Sequence, residues 1–217
     1  MTDTIEDYLS AIYHLHENAQ PASTTRLAQE LQVAPATVTA MLKKLAELGL
    51  VEYKPYQPVA LTRAGRQAAL RIIRFHRLAE TFLVNILDVP WELVHEEAHK
   101  WEHVLSDDIA ARLERMLDFP SHDPHGDPIP TTAGVVTSEF VLSLAEVQVG
   151  QRVIVSRIQD ESPALLQYLS SLGVYPKVEM RILAKAPFEG PLTVRIGERA
   201  EIVGFIAAEQ ILVSVLV

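Results

Sequence analysis

The chain is 217 residues long and 48% hydrophobic, and 19 Lys+Arg against 28 Asp+Glu give it a formal charge of −9 with no cysteine. Two or three packed domains fit that length, and the absence of thiols excludes disulfides, cysteine nucleophiles and thiolate metal sites, leaving nitrogen and oxygen to hold any metal. No run of about eighteen apolar residues exists and Met1-Thr2-Asp3-Thr4 is polar, so a membrane span and a secretory signal are excluded and a cytoplasmic protein is expected.

The charge is unevenly placed. Residues 1–75 carry 8 Lys+Arg against 7 Asp+Glu, residues 76–138 carry 4 against 12, and residues 139–217 carry 7 against 9. DNA binding depends on local fields rather than on the total, so the near-neutral first part remains compatible with it. The acidic middle suits a divalent cation.

Ile5, Tyr8, Leu9, Ile12, Tyr13 and Leu15 recur at helical spacing and predict a first helix over Thr4–Glu17, with Glu6 and Asp7 in its first turns where the helix dipole favours carboxylates. After a break at Asn18–Ala22, Ser23 or Thr24 can cap a short helix through Leu27, Ala28 and Leu31. Pro35 opens a third helix with Val38, Met41, Leu42 and Leu45 inward, stopped by Gly49. Two helices joined by a tight turn spell helix-turn-helix. Ala36, Thr37, Thr39, Ala40, Lys43 and Lys44 form the outer face of the third helix, where small residues allow approach to base edges and the lysines can reach phosphates. Any amphipathic helix has such a face. The strand-like runs Val51–Lys54 and Val59–Leu61, around a tip that contains Tyr56 and is flanked by Lys54, add a hairpin and complete a winged helix.

Thr62 caps a long helix that ends near Leu87 and carries His76 and Glu80 at i, i+4. Beyond the short break Asp88-Val89-Pro90, the apolar stripe Val94, Ala98, Trp101, Leu105 and Ile109 predicts one continuous further helix, the antiparallel neighbour of the first. At about 100° per residue, His99, Glu102 and His103 sit roughly +40°, −20° and +80° from His95, which crowds four ligand-type side chains onto one face. A solvated polar face is the bland alternative, but four such residues together favour a metal-binding face. The large apolar residues of these two helices also suggest a dimer interface.

Phe119–Pro130 is rich in proline, glycine and aspartate and is expected to be a loop, with His122 and His125 set aside as ligands because loops are flexible. From Phe140, strand-like runs at 152–158, 177–183, 192–196, 200–203 and 211–215, with a helix over Leu165–Leu172 closed by Gly173, predict a small all-β barrel of SH3 type. Its core should be separate and dispensable for the first 138 residues. The expected division is a winged helix-turn-helix over 1–72, a helical metal-binding and dimerisation domain over 73–138, and an SH3-like domain over 139–217, so that the mostly α part precedes the β part.

These residues resemble the diphtheria-toxin-repressor family of iron- and manganese-dependent transcription regulators, over the whole chain. The likeness rests on Glu6-Asp7-Tyr8-Leu9, on Phe75-His76-Arg77-Leu78-Ala79-Glu80, on Val94-His95-Glu96-Glu97-Ala98 with Trp101-Glu102-His103, and on Gly126-Asp127-Pro128-Ile129-Pro130. The C-terminal part, with Leu172-Gly173-Val174 and Gly190-Pro191-Leu192, is similar to the SH3-like domain of ferrous-iron transport A proteins. The resemblance implies a metal-loaded homodimer that binds palindromic double-stranded DNA operators and represses metal-uptake genes. It also implies a primary site of Asp7, His99, Glu102 and His103, and an ancillary site of His76, Glu80 and His95, with Glu161 a weaker addition. Iron-responsive members have methionine and cysteine where this chain has Asp7 and His99. The harder donors here favour Mn(II) over Fe(II), while Zn(II), Co(II) or Cd(II) should substitute in vitro. Ser10 stands where manganese-type members with a paired cluster have a glutamate. A constitutive DNA-binding protein with a structural metal site is the alternative, and a metalloenzyme a more distant one, because just two helices carry ligand clusters.

Overall fold

The computed structural model describes residues 2–137, 140–160 and 162–216. Two compact units divide the chain: Met1–His76 with Lys100–Asp107 and Pro130–Val135, and Arg77–His99 with Asp108–Ile129 and Val136–Val217.

In the first unit the apolar period of the N-terminus forms α1 (Asp3–Glu17), which buries Ile5, Tyr8, Leu9 and Ile12. The Ser23 hydroxyl accepts from the Arg26 N–H at 3.3 Å and so caps α2 (Thr24–Glu30). Proline in the first turn opens α3 (Pro35–Glu47), whose buried face is Val38, Leu42 and Leu45. The wing is smaller than the strand-like runs suggested: β1 (Val51–Glu52) pairs antiparallel with β2 (Ala60–Leu61) in the register Val51↔Leu61. Prolines at 55 and 58 cannot donate to a ladder, which confines pairing to the base of the hairpin.

Thr62 locks the wing to α4 (Arg63–Leu87): its hydroxyl accepts from Gly65 N–H at 3.1 Å and donates to Gly49 C=O at 2.7 Å. Gly65 has to be glycine, since a Cβ there would lie 1.9 Å from the Leu50 carbonyl oxygen.

The expected continuous helix through Ile109 is two helices, α5 (Val94–Glu102) and α6 (Asp107–Met116). The amides of Val104 and Leu105 both turn back to the Trp101 carbonyl, closing α5, while Ser106-Asp107-Asp108 presents the hydroxyl and carboxylates that begin a new helix. The apolar spacing runs on across the break but the burial does not: Val94 and Ala98 are buried, whereas Ile109 is 45% exposed and Ala110 is the buried residue of α6. His103 therefore sits in a turn rather than on a helix.

In the second unit, six antiparallel strands run in the order β3 (Leu142–Ser143), β8 (Ile211–Leu216), β4 (Arg152–Ile158), β5 (Glu179–Lys185), β6 (Leu192–Ile196), β7 (Arg199–Val203). Helix α7 (Pro163–Leu172) ends at Gly173 with φ +74°, the left-handed cap that its glycine supplies. Sequence reading missed the two-residue β3 and the single-turn α8 (Phe205–Gln210), both too short for periodicity to register. The architecture is the expected SH3-like one. Its core is not self-contained, however: Trp91 belongs to the same buried cluster as Leu144, Val153, Val194 and Val213, and Val84 of α4 packs against it.

The 119–130 segment explains how this core is joined to α4. Asp123 accepts the backbone N–H groups of His125 and Asp127, each at 2.9 Å, and Arg77 reaches Asp123 at 3.4 Å and Asp127 at 3.2 Å. Arg157 of β4 holds Asp127 at 3.0 Å. At Gly126, with φ +92°, a Cβ would meet the Ser156 carbonyl oxygen at 2.1 Å, so the loop lies against the strand backbone.

Candidate metal centre

Asp7 comes from the second turn of α1, Glu102 from the last turn of α5 and His103 from the turn that follows. One ligand atom from each of these three lies within 4.8 Å of the others. His103 Nε2 is 3.0 Å from Asp7 Oδ1 and 3.3 Å from Glu102 Oε1. Glu102 is 5% exposed, so its carboxylate is desolvated and depends on hydrogen-bonding partners close by. His76 of α4 supplies one, its Nδ1 pairing with Glu102 Oε2. That leaves Oε1 as the oxygen facing His103.

Glu6, expected only to serve the helix dipole, is 6% exposed, and its Oε2 takes His103 Nδ1 at 2.8 Å. Burial alone would lower the His103 pKa. The Glu6 hydrogen bond and the charges of Glu102, Asp7 and Glu6 outweigh it, and the net shift is upward. Three carboxylates around one imidazole make a site where a divalent cation can replace a proton. The donors are oxygen and imidazole nitrogen, which fits Mn(II) or Fe(II). The Ser10 hydroxyl is buried and has no hydrogen-bond partner among the described residues.

His99 is exposed on α5. Of the expected ancillary residues, His76 lies one turn before the fully buried Glu80 on α4, and the exposed His95 brings Nδ1 within 3.4 Å of Glu80 Oε1. Glu161 lies outside the described residues. Sequence reading passed over two side chains beside Glu80. The loop residue His125 is fully buried, with Nδ1 3.9 Å from Glu80 Oε1 and Nε2 2.9 Å from the Trp91 carbonyl, and Asp123 joins them in a group of three ligand types within 4.8 Å. The alternation Asp123-x-His125-x-Asp127 was the available signal, discounted because the stretch is a loop.

On α3, Ala36, Thr37, Ala40, Lys43 and Lys44 are exposed, and Lys54 and Tyr56 are exposed in the wing. Thr39 is half-buried and its hydroxyl already donates to the Pro35 carbonyl at 3.0 Å.

Three family models cover most of the chain. The N-terminal DNA-binding domain of iron-dependent repressors matches residues 1–59, their metal-binding and dimerisation domain matches 62–131, and the FeoA domain matches 142–215. The chain is 33% identical over 195 residues to the iron-dependent repressor IdeR of Mycobacterium leprae, covering 84% of each protein. It is 32% identical over 191 residues to the diphtheria toxin repressor of Corynebacterium jeikeium, covering 85% of this chain and 80% of that one. A solved structure of a manganese-dependent transcriptional repressor in complex with manganese superposes with a TM-score of 0.90 at 39% identity, over 98% of this chain and 100% of the other.

Proposed function

We propose a mechanism from the premise that this chain belongs to the iron-dependent repressor family, whose DNA-binding, metal-binding and FeoA domains it carries in order. It is a metal-dependent transcriptional repressor, acting through DNA rather than by catalysis. We assign Mn(II) as the favoured metal and Fe(II) as the alternative. Asp7, His99, Glu102 and His103 are proposed as its primary ligands, and His76, Glu80 and His95 as an ancillary set. The donor chemistry supports the choice of metal, for aspartate and imidazole stand here in place of softer sulfur ligands.

One observation carries the mechanism: Asp7 on α1, next to the helix-turn-helix, meets Glu102 and His103 nearly a hundred residues later. The cation supplies the positive charge that these acidic groups share. Asp7 then ties α1 to the turn after α5, and so fixes the tilt of α3 relative to the helices proposed to dimerise. We read the active form as a homodimer on a palindromic operator of metal-uptake genes. Lys43 and Lys44 would contact phosphates, Ala36, Thr37, Thr39 and Ala40 would face bases, and the wing would add Lys54 and Tyr56. Among the described residues no helix is long and apolar enough to cross a membrane, in keeping with a cytoplasmic repressor.

An electrophoretic shift with candidate operator fragments tests this reading. Mn(II) should produce a retarded complex that a chelator dissolves. Equal retardation with Mn(II) and with chelator would instead indicate a constitutive DNA binder.

A further inference from the structure

We infer that Glu6 is the positioning residue for His103: its carboxylate holds Nδ1, so that Nε2 is the nitrogen offered to a divalent cation beside Asp7 and Glu102. The inference rests on the reading of Asp7, Glu102 and His103 as ligands, and assigns a role to a residue outside that set.

An imidazole presents either nitrogen to a metal, and the hydrogen bond made by the other nitrogen decides which. At His103 the two edges of the ring face different groups. Glu6 Oε2 lies 2.8 Å from Nδ1, while Asp7 Oδ1 and Glu102 Oε1 lie 3.0 and 3.3 Å from Nε2. Adjacent residues of one helix thus grip opposite edges of one ring.

The position of His103 makes such a grip necessary. It lies beyond the end of α5, in a turn, where no regular helix fixes its side chain. Glu6, in contrast, is anchored: it is 6% exposed and flanked on α1 by the buried Ile5 and Tyr8. A carboxylate buried to that degree without a compensating partner is costly, and His103 is the partner the structure gives it.

A second arrangement has to be weighed. Asp3, Glu6 and His103 also bring ligand atoms within 4.8 Å, so a cation could in principle sit at Nδ1 with Glu6 as a direct ligand. Asp3 is exposed, however, whereas Glu102 is buried and has its outer oxygen already occupied by His76. The Nε2 side is the prearranged one.

The test uses the full-length protein and its Glu6→Ala and Glu6→Gln variants. Mn(II) affinity is measured by titration, and the His103 ring nitrogens are assigned by 15N NMR in the protein loaded with diamagnetic Zn(II). Wild type should carry its proton on Nδ1 and its metal on Nε2. Glu6→Ala should lower Mn(II) affinity by about tenfold or more, the usual cost of removing an outer partner of a ligating histidine. Glu6→Gln, whose amide oxygen still accepts from Nδ1, should recover most of the loss. A residue that merely packs would show no such rescue by glutamine and no change of tautomer. Metal found on Nδ1, or Glu6→Ala binding Mn(II) as tightly as wild type while Asp7→Ala and His103→Ala bind weakly, would overturn the role of Glu6 alone. Wild-type Mn(II) affinity in Asp7→Ala and His103→Ala would overturn the ligand reading beneath it.

Discussion

Two buried acidic clusters in this protein meet opposite ends. Around His103, the carboxylates of Glu6, Asp7 and Glu102 face an imidazole, whose charge depends on pH. In the 119–130 loop, Asp123 and Asp127 face Arg77 and Arg157, whose guanidinium groups stay charged at any pH a protein experiences. A carboxylate paired with arginine is structurally spoken for. One paired with histidine faces a ring that can lose its proton, and a cation can then take that proton's place. Acidic residues in a sequence are therefore not equal candidates for a metal, and the permanence of the charge opposite them separates structure from function.

The largest expected effect lies in the arginine cluster. Arg77→Ala should destabilise the metal-free protein by about 3–5 kcal/mol, because it leaves Asp123 and Asp127 buried with their main counter-charge gone. Chemical denaturation measures this. A loss of less than about 1 kcal/mol would break the comparison, since the cluster would then carry no structural weight.

Next comes pH. The His103 pKa is raised on folding, so the stability that its protonated form contributes is fully present below the ordinary histidine value, about 6.5, and is lost as pH rises through the higher folded value. Metal binding runs the other way, for the ligating imidazole must be deprotonated. Mn(II) affinity should therefore rise about tenfold per pH unit below the folded pKa and level off above it, with close to one proton released per ion by calorimetry in buffers of different ionisation enthalpy. A pH-independent affinity across that range would mean that His103 is not a ligand.

The smallest effect sharpens the contrast. Asp7 is partly exposed, and Asp7→Ala in the metal-free protein should shift stability by less than about 1 kcal/mol. A loss comparable to that of Arg77→Ala would make Asp7 a structural residue.

Much of this was legible in the sequence, for identifiable reasons. Pro35, Ser23, Thr62 and Gly173 mark helix ends through their own backbone and hydroxyl chemistry, and the helices they bound are found there. Asp7, Glu102 and His103, ligand-type residues that the sequence itself singles out, lie together. What escaped has physical causes as well. The turn at His103 falls between Trp101 and Leu105, which keep helical spacing in the sequence, so periodicity could not show it. Glu6 was assigned to the helix dipole because a carboxylate in a first turn usually serves that purpose, and its burial depends on a partner 97 positions away. His125 reads in the sequence as a loop residue, although hydrogen bonds through Asp123 and a glycine pressed against β4 make this loop part of the core. The dependence of the β domain on Trp91 could not be read from either segment alone, since neither lacks apolar residues of its own.

The central claim is that Asp7 transmits metal binding to the DNA-binding helices. Its most direct test is the coupling between Mn(II) and operator in Asp7→Ala, measured by titrating operator DNA at saturating Mn(II) and with chelator, beside wild type. Linkage requires that metal and operator tighten each other by the same factor. The account predicts a large factor in wild type and a factor near one in Asp7→Ala, with the variant still folded and dimeric. A wild-type Mn(II) response in Asp7→Ala would contradict it and confine the effect of the metal to α4, α5 and the loop that follows them.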